Sequence, residues 1–329
     1  EGEMKKFLNQ VKVVEEKHTY LDINCFEKPI CILLDNIGTG YSDVFFLYLK
    51  IIECYDIKTF QEEVLSNFFI TMKYILSDKL HLAISVFEQP DNLHKTIMEQ
   101  INEGKPVMLG GNLKYLFYSK YYMEQDYAHL FLIKGYDAEK QIYYILDDKQ
   151  RTDEKCDEFI LPFQEIEKLY NGYLEKENGA VLWAMDMNPK VKNLDTGANL
   201  KECLKILLDN AGKEAIKEVI LCREIEKAVN DNDVDEGLEL CSIFGNCTNY
   251  KQLLYQEVTK LYQKNFEAGK YETELAEAAD MVVNEWRAVF KLCTAGVYRC
   301  KQINMKERIQ TALQGEEQIR NVFQKIIQE

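Results

Sequence analysis

Residues 128–148 read Ala128-His129-Leu130-Phe131-Leu132-Ile133-Lys134-Gly135-Tyr136-Asp137-Ala138-Glu139-Lys140-Gln141-Ile142-Tyr143-Tyr144-Ile145-Leu146-Asp147-Asp148. Two runs rich in Ile, Leu, Phe and Tyr flank the polar stretch 137–140. Such runs fit the pleated, half-buried surface of a sheet, so the pattern predicts strands over 128–136 and 141–146 joined as a hairpin. A lone His opens the first strand and an Asp pair closes the second. A His in an apolar strand is more often a satisfied core residue than a catalyst. Here, however, the hairpin brings Asp147 alongside His129, and an imidazole oriented by a carboxylate is the base that a thiol or hydroxyl nucleophile needs. Whether Asp147 or Asp148 faces His129 depends on register, because a slip of one residue moves every side chain to the other face.

Working outward, Asn24-Cys25 supplies a nucleophile. Phe26, Ile30, Leu33, Leu34 and Ile37 recur at helical spacing and predict a helix over 25–37. Asn24 is the predicted N-cap, Glu27 completes a capping box, and Gly38 stops the helix. Pro29 is tolerable only near the first turn. A thiol at a helix N-terminus faces unsatisfied N–H groups and the positive end of the dipole, an environment that favours thiolate. A buried structural Cys is nonetheless the commoner fate of a single cysteine.

Helices are predicted over 60–76, 91–101 and 162–170, and strands over 106–109 and 180–185. Helix first and a mainly antiparallel sheet later is an α+β order. From about residue 199 the pattern turns all-helical, with candidates over 200–210, 213–228, 234–241, 250–267, 271–293 and 305–328. The polar stretch 188–197, carrying Pro189 and Gly197, is the predicted linker. Two domains are therefore expected, 1–188 holding the chemistry and 198–329 a helical bundle. The helices at 271–293 and 305–328 can pair within the chain or across a homodimer.

The chain has 329 residues, a formal net charge of -15 and a pI of about 4.9. An acidic chain repels phosphate backbones and anionic lipid, which argues against nucleic-acid binding and membrane docking. The first ten residues are polar and no apolar run is long enough to span a bilayer, so a cytoplasmic location is expected. Ten cysteines without a C-x-x-C pair read as reduced thiols. The four histidines, His18, His81, His94 and His129, do not cluster with cysteines at metal-ligand spacing, so no metal and no cofactor is expected.

A Cys at the tip of an early helix, a His followed by an apolar run into Gly135-Tyr136-Asp137, and a strand ending in Asp resemble the papain-like superfamily. The pattern is most similar to its bacteriocin-leader-peptidase-like branch, and within that to the N-terminal domain of butirosin biosynthesis protein H. Asn24-Cys25 matches the early motif and Gly104-Lys105-Pro106-Val107 a strand ahead of a Tyr-rich stretch. The acid motif departs: the family's Asp-Pro is Asp147-Asp148 here. The resemblance covers about residues 20–187 and implies a papain-like domain, its N-terminal catalytic helix packed on the sheet, with Cys25, His129 and Asp147 as catalytic triad.

It further implies amide-forming acyl transfer from the phosphopantetheine arm of an acyl or peptidyl carrier protein to a small amine, as in nonribosomal antibiotic pathways such as closthioamide assembly. Papain-like proteases place a Gln about six residues before the Cys; here that position is Thr19. Thr19, Tyr20 and Asn24 are the candidate oxyanion donors. Loss of one such donor costs about 2.7–4 kcal/mol, which an activated thioester tolerates better than a peptide bond. Tyr115, Tyr118 and Tyr122 are candidates to wall a substrate channel. Lys213, Lys217, Arg223 and Lys227 are candidates for a basic carrier-docking patch. A papain-like peptidase and a catalytically inactive papain-like binding module are the alternatives.

Overall fold

The computed structural model describes residues 4–12, 25, 27–38, 44, 46–49, 53, 58, 68–148, 156–177, 181–188, 190, 195–209, 216–266, 270–302 and 304–329, with backbone only for 68–70 and 196. The chain divides into two compact units, residues 1–41 with 76–194, and residues 42–75 with 195–329. The sequence boundary between 188 and 198 lies close to one crossing point. The grouping of 42–75 with the late helices has no counterpart in the expected division.

The first unit is α+β. Its strands are β1 (Lys5–Phe7), β2 (Ile84–Val86), β3 (Val107–Asn112), β4 (Ala128–Asp137), β5 (Ile142–Asp148), β6 (Cys156–Pro162) and β7 (Leu182–Met185). They form one sheet in the order β2-β7-β3-β4-β5-β6, with β1 also on β4, and the pairings among described residues are antiparallel. The predicted hairpin is β4–β5. β1, β2 and β6 escaped the sequence reading. β1 and β2 have three residues each, too short for a period to register, and β6 hides its alternation behind Asp157-Glu158.

β4 lies inside the sheet and is buried from His129 to Asp137, with only Ala128 partly exposed, so its long apolar run is that of a central strand. It carries a bulge. Asp137 pairs with Ile142, Tyr136 with Tyr143 and Gly135 with Tyr144, but Ile133 pairs with Ile145, which leaves Lys134 as an extra residue. The Lys134 side chain is buried; its Nζ donates to the Val11 carbonyl at 3.0 Å, sits 4.7 Å from the Phe7 ring centroid and pairs with Glu158. A Cβ on Gly135 would lie 2.8 Å from the Lys6 carbonyl oxygen, so only glycine lets β1 approach β4 beside the bulge.

The helices of this unit begin with α1 (Lys28–Asn36). The expected start at residue 25 and the Asn24 capping box are corrected: Glu27 is the N-cap, without a side-chain cap bond, and Cys31 N donates to the Glu27 carbonyl. Pro29 decides this. A helix begun at Cys25 would need an N–H at position 29, whereas in the first turn no N–H is required. Gly38 (φ +79°) ends the helix as expected. The helix α2 (Phe68–Lys79) spans the division between the units; the earlier part of its predicted range lies outside the described residues. α3 (Leu93–Asn102) is capped by Asn92, which accepts from Lys95 N at 2.9 Å. α4 (Phe163–Leu174) lies against β3; Gly172 packs there on Tyr115, and a Cβ at Gly172 would come within 2.3 Å of that ring.

The second unit is helical: α5 (Thr196–Asp209), α6 (Lys217–Asp231), α7 (Val234–Asn265), α8 (Glu272–Tyr298) and α9 (Lys306–Gln328), with Val44, Phe46, Leu47, Tyr48 and Leu49 buried in the same unit. The helices expected over 234–241 and 250–267 are one, α7. Gly245 in the break costs about 1 kcal/mol in helix propensity. Burial of Phe244, Cys247 and Thr248, and the Thr248 Oγ1 bond to the Phe244 carbonyl at 3.0 Å, outweigh that cost. α8 and α9 pair within the chain, through Trp286 on Glu316 and Arg308 on Glu285. No helix among the described residues is long and apolar enough to cross a membrane.

Candidate functional site

His129 lies one residue into β4, opposite Gly111 of β3, and is buried. Its Nε2 is 2.6 Å from Asp147 Oδ1, a bond between two side chains each about 2% exposed. Asp147 Oδ1 also accepts from Asp148 N at 2.8 Å, and Oδ2 accepts from the Tyr118 hydroxyl at 2.7 Å. The carboxylate is therefore held on both oxygens and its orientation is fixed. The bulge at Lys134 sets this pairing. Register 137↔142 carried on without it would place residue 131, and with it the face of His129, opposite 148. The extra residue shifts the ladder so that 131 falls opposite 147. The sheet thus selects Asp147 as the partner that the sequence left open.

Cys25 is partly exposed and lies just before α1, two residues ahead of its N-cap. Burial disfavours a charge on His129, but the Asp147 carboxylate and its hydrogen bond, with a hydrogen bond and charge from Cys25, outweigh it and hold the imidazole pKa well above its ordinary value. Cys25 also stands near two phenols: its charge helps raise the pKa of Tyr127 and of Tyr173, second to burial in the first case. Cys25, His129 and Asp147 are thereby brought together. Nε2 of the imidazole is held by Asp147, which leaves Nδ1 as the nitrogen that can exchange a proton with the thiol.

The other candidates separate. Thr19, Tyr20, Asn24 and Lys213 lie outside the described residues. Tyr118 is no channel wall: it is 9% exposed, stacks on Phe159 at 4.3 Å and donates to Asp147. Burial, then the Asp147 charge, raises its pKa well above 10, so it stays a neutral donor. Tyr115 packs on α4, and Tyr122 is exposed. Lys217 leaves the proposed basic patch: it is buried and its Nζ donates to the Glu53 carbonyl at 2.8 Å, whereas Arg223 and Lys227 are exposed. Sequence reasoning missed Tyr118 as a partner of Asp147, and missed Tyr127 and Tyr173 beside Cys25. Position two residues before His129 was the available signal for Tyr127, because residues two apart share a strand face.

Ligand atoms of His129, Asp147 and Asp148 lie within 4.8 Å of one another. A cation there would have to displace the 2.6 Å His129 bond and the Tyr118 proton aimed at Asp147. The donor set is that of a hydrogen-bonded relay.

Buried carboxylate, oriented imidazole and adjacent thiol have the grouping that a nucleophile, its base and an orienting acid would need. Residues 36–148 match the family model for butirosin biosynthesis protein H, N-terminal. The chain resembles that domain across the stretch that carries His129 and Asp147; the match begins after Cys25. No curated protein matches the chain.

Proposed function

We propose that this protein is a papain-like cysteine acyltransferase that forms an amide from a carrier-bound thioester and an amine. The observation that supports it most is the buried 2.6 Å His129–Asp147 bond with Cys25 against the same imidazole, inside a chain that resembles the butirosin protein H N-terminal domain. His129 takes the Cys25 proton, and Sγ attacks the thioester carbonyl. The bond from the acyl carbon to the pantetheine sulfur breaks, and the departing thiolate takes a proton from His129. An amine then attacks the Cys25 acyl-enzyme, gives its proton to His129, and leaves as the amide while the Cys25 thiol is restored. Asp147 keeps the imidazole in one tautomer and stabilises its charged form. The carrier protein brings the phosphopantetheine arm, and no cofactor of the enzyme's own is required. Arg223 and Lys227 remain for carrier docking.

The test is intact-protein mass after mixing with acyl-pantetheine thioesters, followed by peptide mapping. The expected result is an acyl adduct on Cys25 that is discharged by added amine as an amide. Absence of any adduct, with cleavage of peptides instead, would replace this reading by a peptidase.

A further inference from the structure

Residues 113–127 form a loop between β3 and β4 that holds an unusual share of the exposed aromatic surface. Phe117, Tyr122, Met123 and Tyr127 are 53%, 44%, 66% and 43% exposed. The loop is firmly tied. Leu113 N donates to the Tyr127 carbonyl at 2.9 Å, Met123 N to Lys114 O at 2.8 Å, Glu124 N to Tyr121 O at 3.0 Å, and Asn112 Nδ2 to Asp126 Oδ1 at 2.9 Å. Met123 is held at φ +60°, a strained conformation for a non-glycine residue that the surrounding bonds enforce. Apolar side chains displayed on a rigid loop contribute little to folding and are preorganised for contact with something else.

Within the loop, Tyr121 and Tyr127 are stacked, with ring centroids 4.8 Å apart and planes 9° from parallel, and Lys120 Nζ lies 5.0 Å from the Tyr121 centroid. Tyr127 leads into β4 two residues before His129, and so shares the face on which the imidazole stands. The same phenol is close enough to Cys25 to sense its charge. The stack therefore lies on the side of the sheet where the His129 imidazole meets Cys25.

We propose that the Tyr121–Tyr127 stack is the platform on which an aromatic acyl group lies while it is bound to Cys25. This rests on Cys25 being the acyl acceptor. A flat ring attached to the Cys25 carbonyl meets a flat, half-exposed π-surface, where an offset stack contributes beyond simple burial. A short aliphatic acyl group finds no comparable contact. The partner of the platform is thus the acyl moiety itself, and the platform sets which thioester is accepted.

The experiment compares benzoyl-pantetheine with acetyl-pantetheine as acyl donors to Cys25, each rate read by intact mass. The quantity of interest is the ratio of the two rates within one protein, so that a general change in thiol reactivity cancels. The wild type is expected to prefer benzoyl, and Tyr121→Ala with Tyr127→Ala to lower the ratio by about tenfold. Tyr127→Phe, which keeps the stacked ring, is expected to keep the ratio. Acylation of Cys25 at an unchanged ratio in the double variant, or no preference in the wild type, would overturn the platform and leave the acyltransferase reading standing. Failure of both thioesters to acylate Cys25 would overturn both.

Discussion

Asp147 is the residue on which the site turns. It spends Oδ1 on His129 and Asp148 N, and Oδ2 on Tyr118. Because the His129 pKa is raised, the charged imidazole contributes stability that is complete below its ordinary value near 6.5 and is lost as pH rises through the raised value. Chemistry that uses the charged imidazole follows the same sign, so the alkaline limb of Cys25 acylation should lie above the ordinary imidazole range. Asp147→Asn removes the largest raising influence, and should move that limb to lower pH and cost ~100-fold or more in rate. Tyr118→Phe should do the opposite to the limb. Without the phenol proton, more of the carboxylate's charge falls on the imidazole, and the limb should move to higher pH, with a loss of about tenfold in rate from the poorer orientation of Asp147. Rate–pH profiles of the two variants check both; shifts in the same direction would contradict the relay.

At the scale of the element, the bulge in β4 carries more than local twist. Lys134 is its extra residue, pinned by Val11, Phe7 and Glu158, and Gly135 beside it admits β1. Replacing Lys134 by Met keeps much of the apolar contact but strands the buried Val11 carbonyl acceptor. That should cost about 1–3 kcal/mol, measured by urea unfolding. Inserting an alanine after Lys134 should do something different in kind. With Asp137–Ile142 fixed and one residue bulged as before, the ladder beyond slides by one, residue 131 meets 148, and Asp148 rather than Asp147 falls on the His129 face, so acylation of Cys25 should fall at least ~100-fold. In the insertion background, an Asp148→Asn change should then matter more to the residual rate than Asp147→Asn. The reverse order would show that the register of the ladder does not set the partner.

At the scale of the whole molecule, the helical unit has its own polar core. Lys251 Nζ is 2.6 Å from Glu316, 3.3 Å from Glu218 and 3.6 Å from Glu53, and Trp286 Nε1 donates to Glu316 at 2.8 Å. Burial disfavours charge on Lys251, but the three carboxylates more than offset it and raise its pKa well above 10.5. Burial raises the pKa of Glu218, with Lys251 opposing. A carboxyl raised in the folded state contributes stability that is complete below the ordinary carboxylate range and is lost as pH rises through the folded value. Glu218→Gln should therefore stabilise the protein at neutral and alkaline pH, by about 1 kcal/mol or more, and bring no gain in acid. Lys251→Met leaves buried carboxylates without their cation and should cost about 3–5 kcal/mol. The chain has two tryptophans, Trp183 in the sheet and Trp286 beside this network. In a Trp183→Phe background, Trp286 fluorescence would follow unfolding of the helical unit, and both shifts should appear there.

Much of this was legible beforehand. The Ala128–Asp137 strand, its hairpin partner and the His–Asp pairing follow from residue type and period, because a central strand must be apolar and a polar residue inside it needs a reason. The α8 and α9 helices follow from 3.6-residue periodicity, which burial of one helix face imposes. What the sequence could not yield is whatever depends on residues distant along the chain. Pro29 is local to its helix and sets the start of α1, against a capping pattern that points three residues earlier. Tyr118 reaches Asp147 across 29 positions, and Lys251 meets Glu316 across 65; no local pattern encodes either. The choice of Asp147 over Asp148 is the clearest division. Sequence determined that a carboxylate would end the strand beside His129. Only the tertiary structure, by fitting one extra residue against β1 and Glu158, decided which of two adjacent carboxylates turned inward, because strand faces alternate with every residue and a single insertion exchanges them.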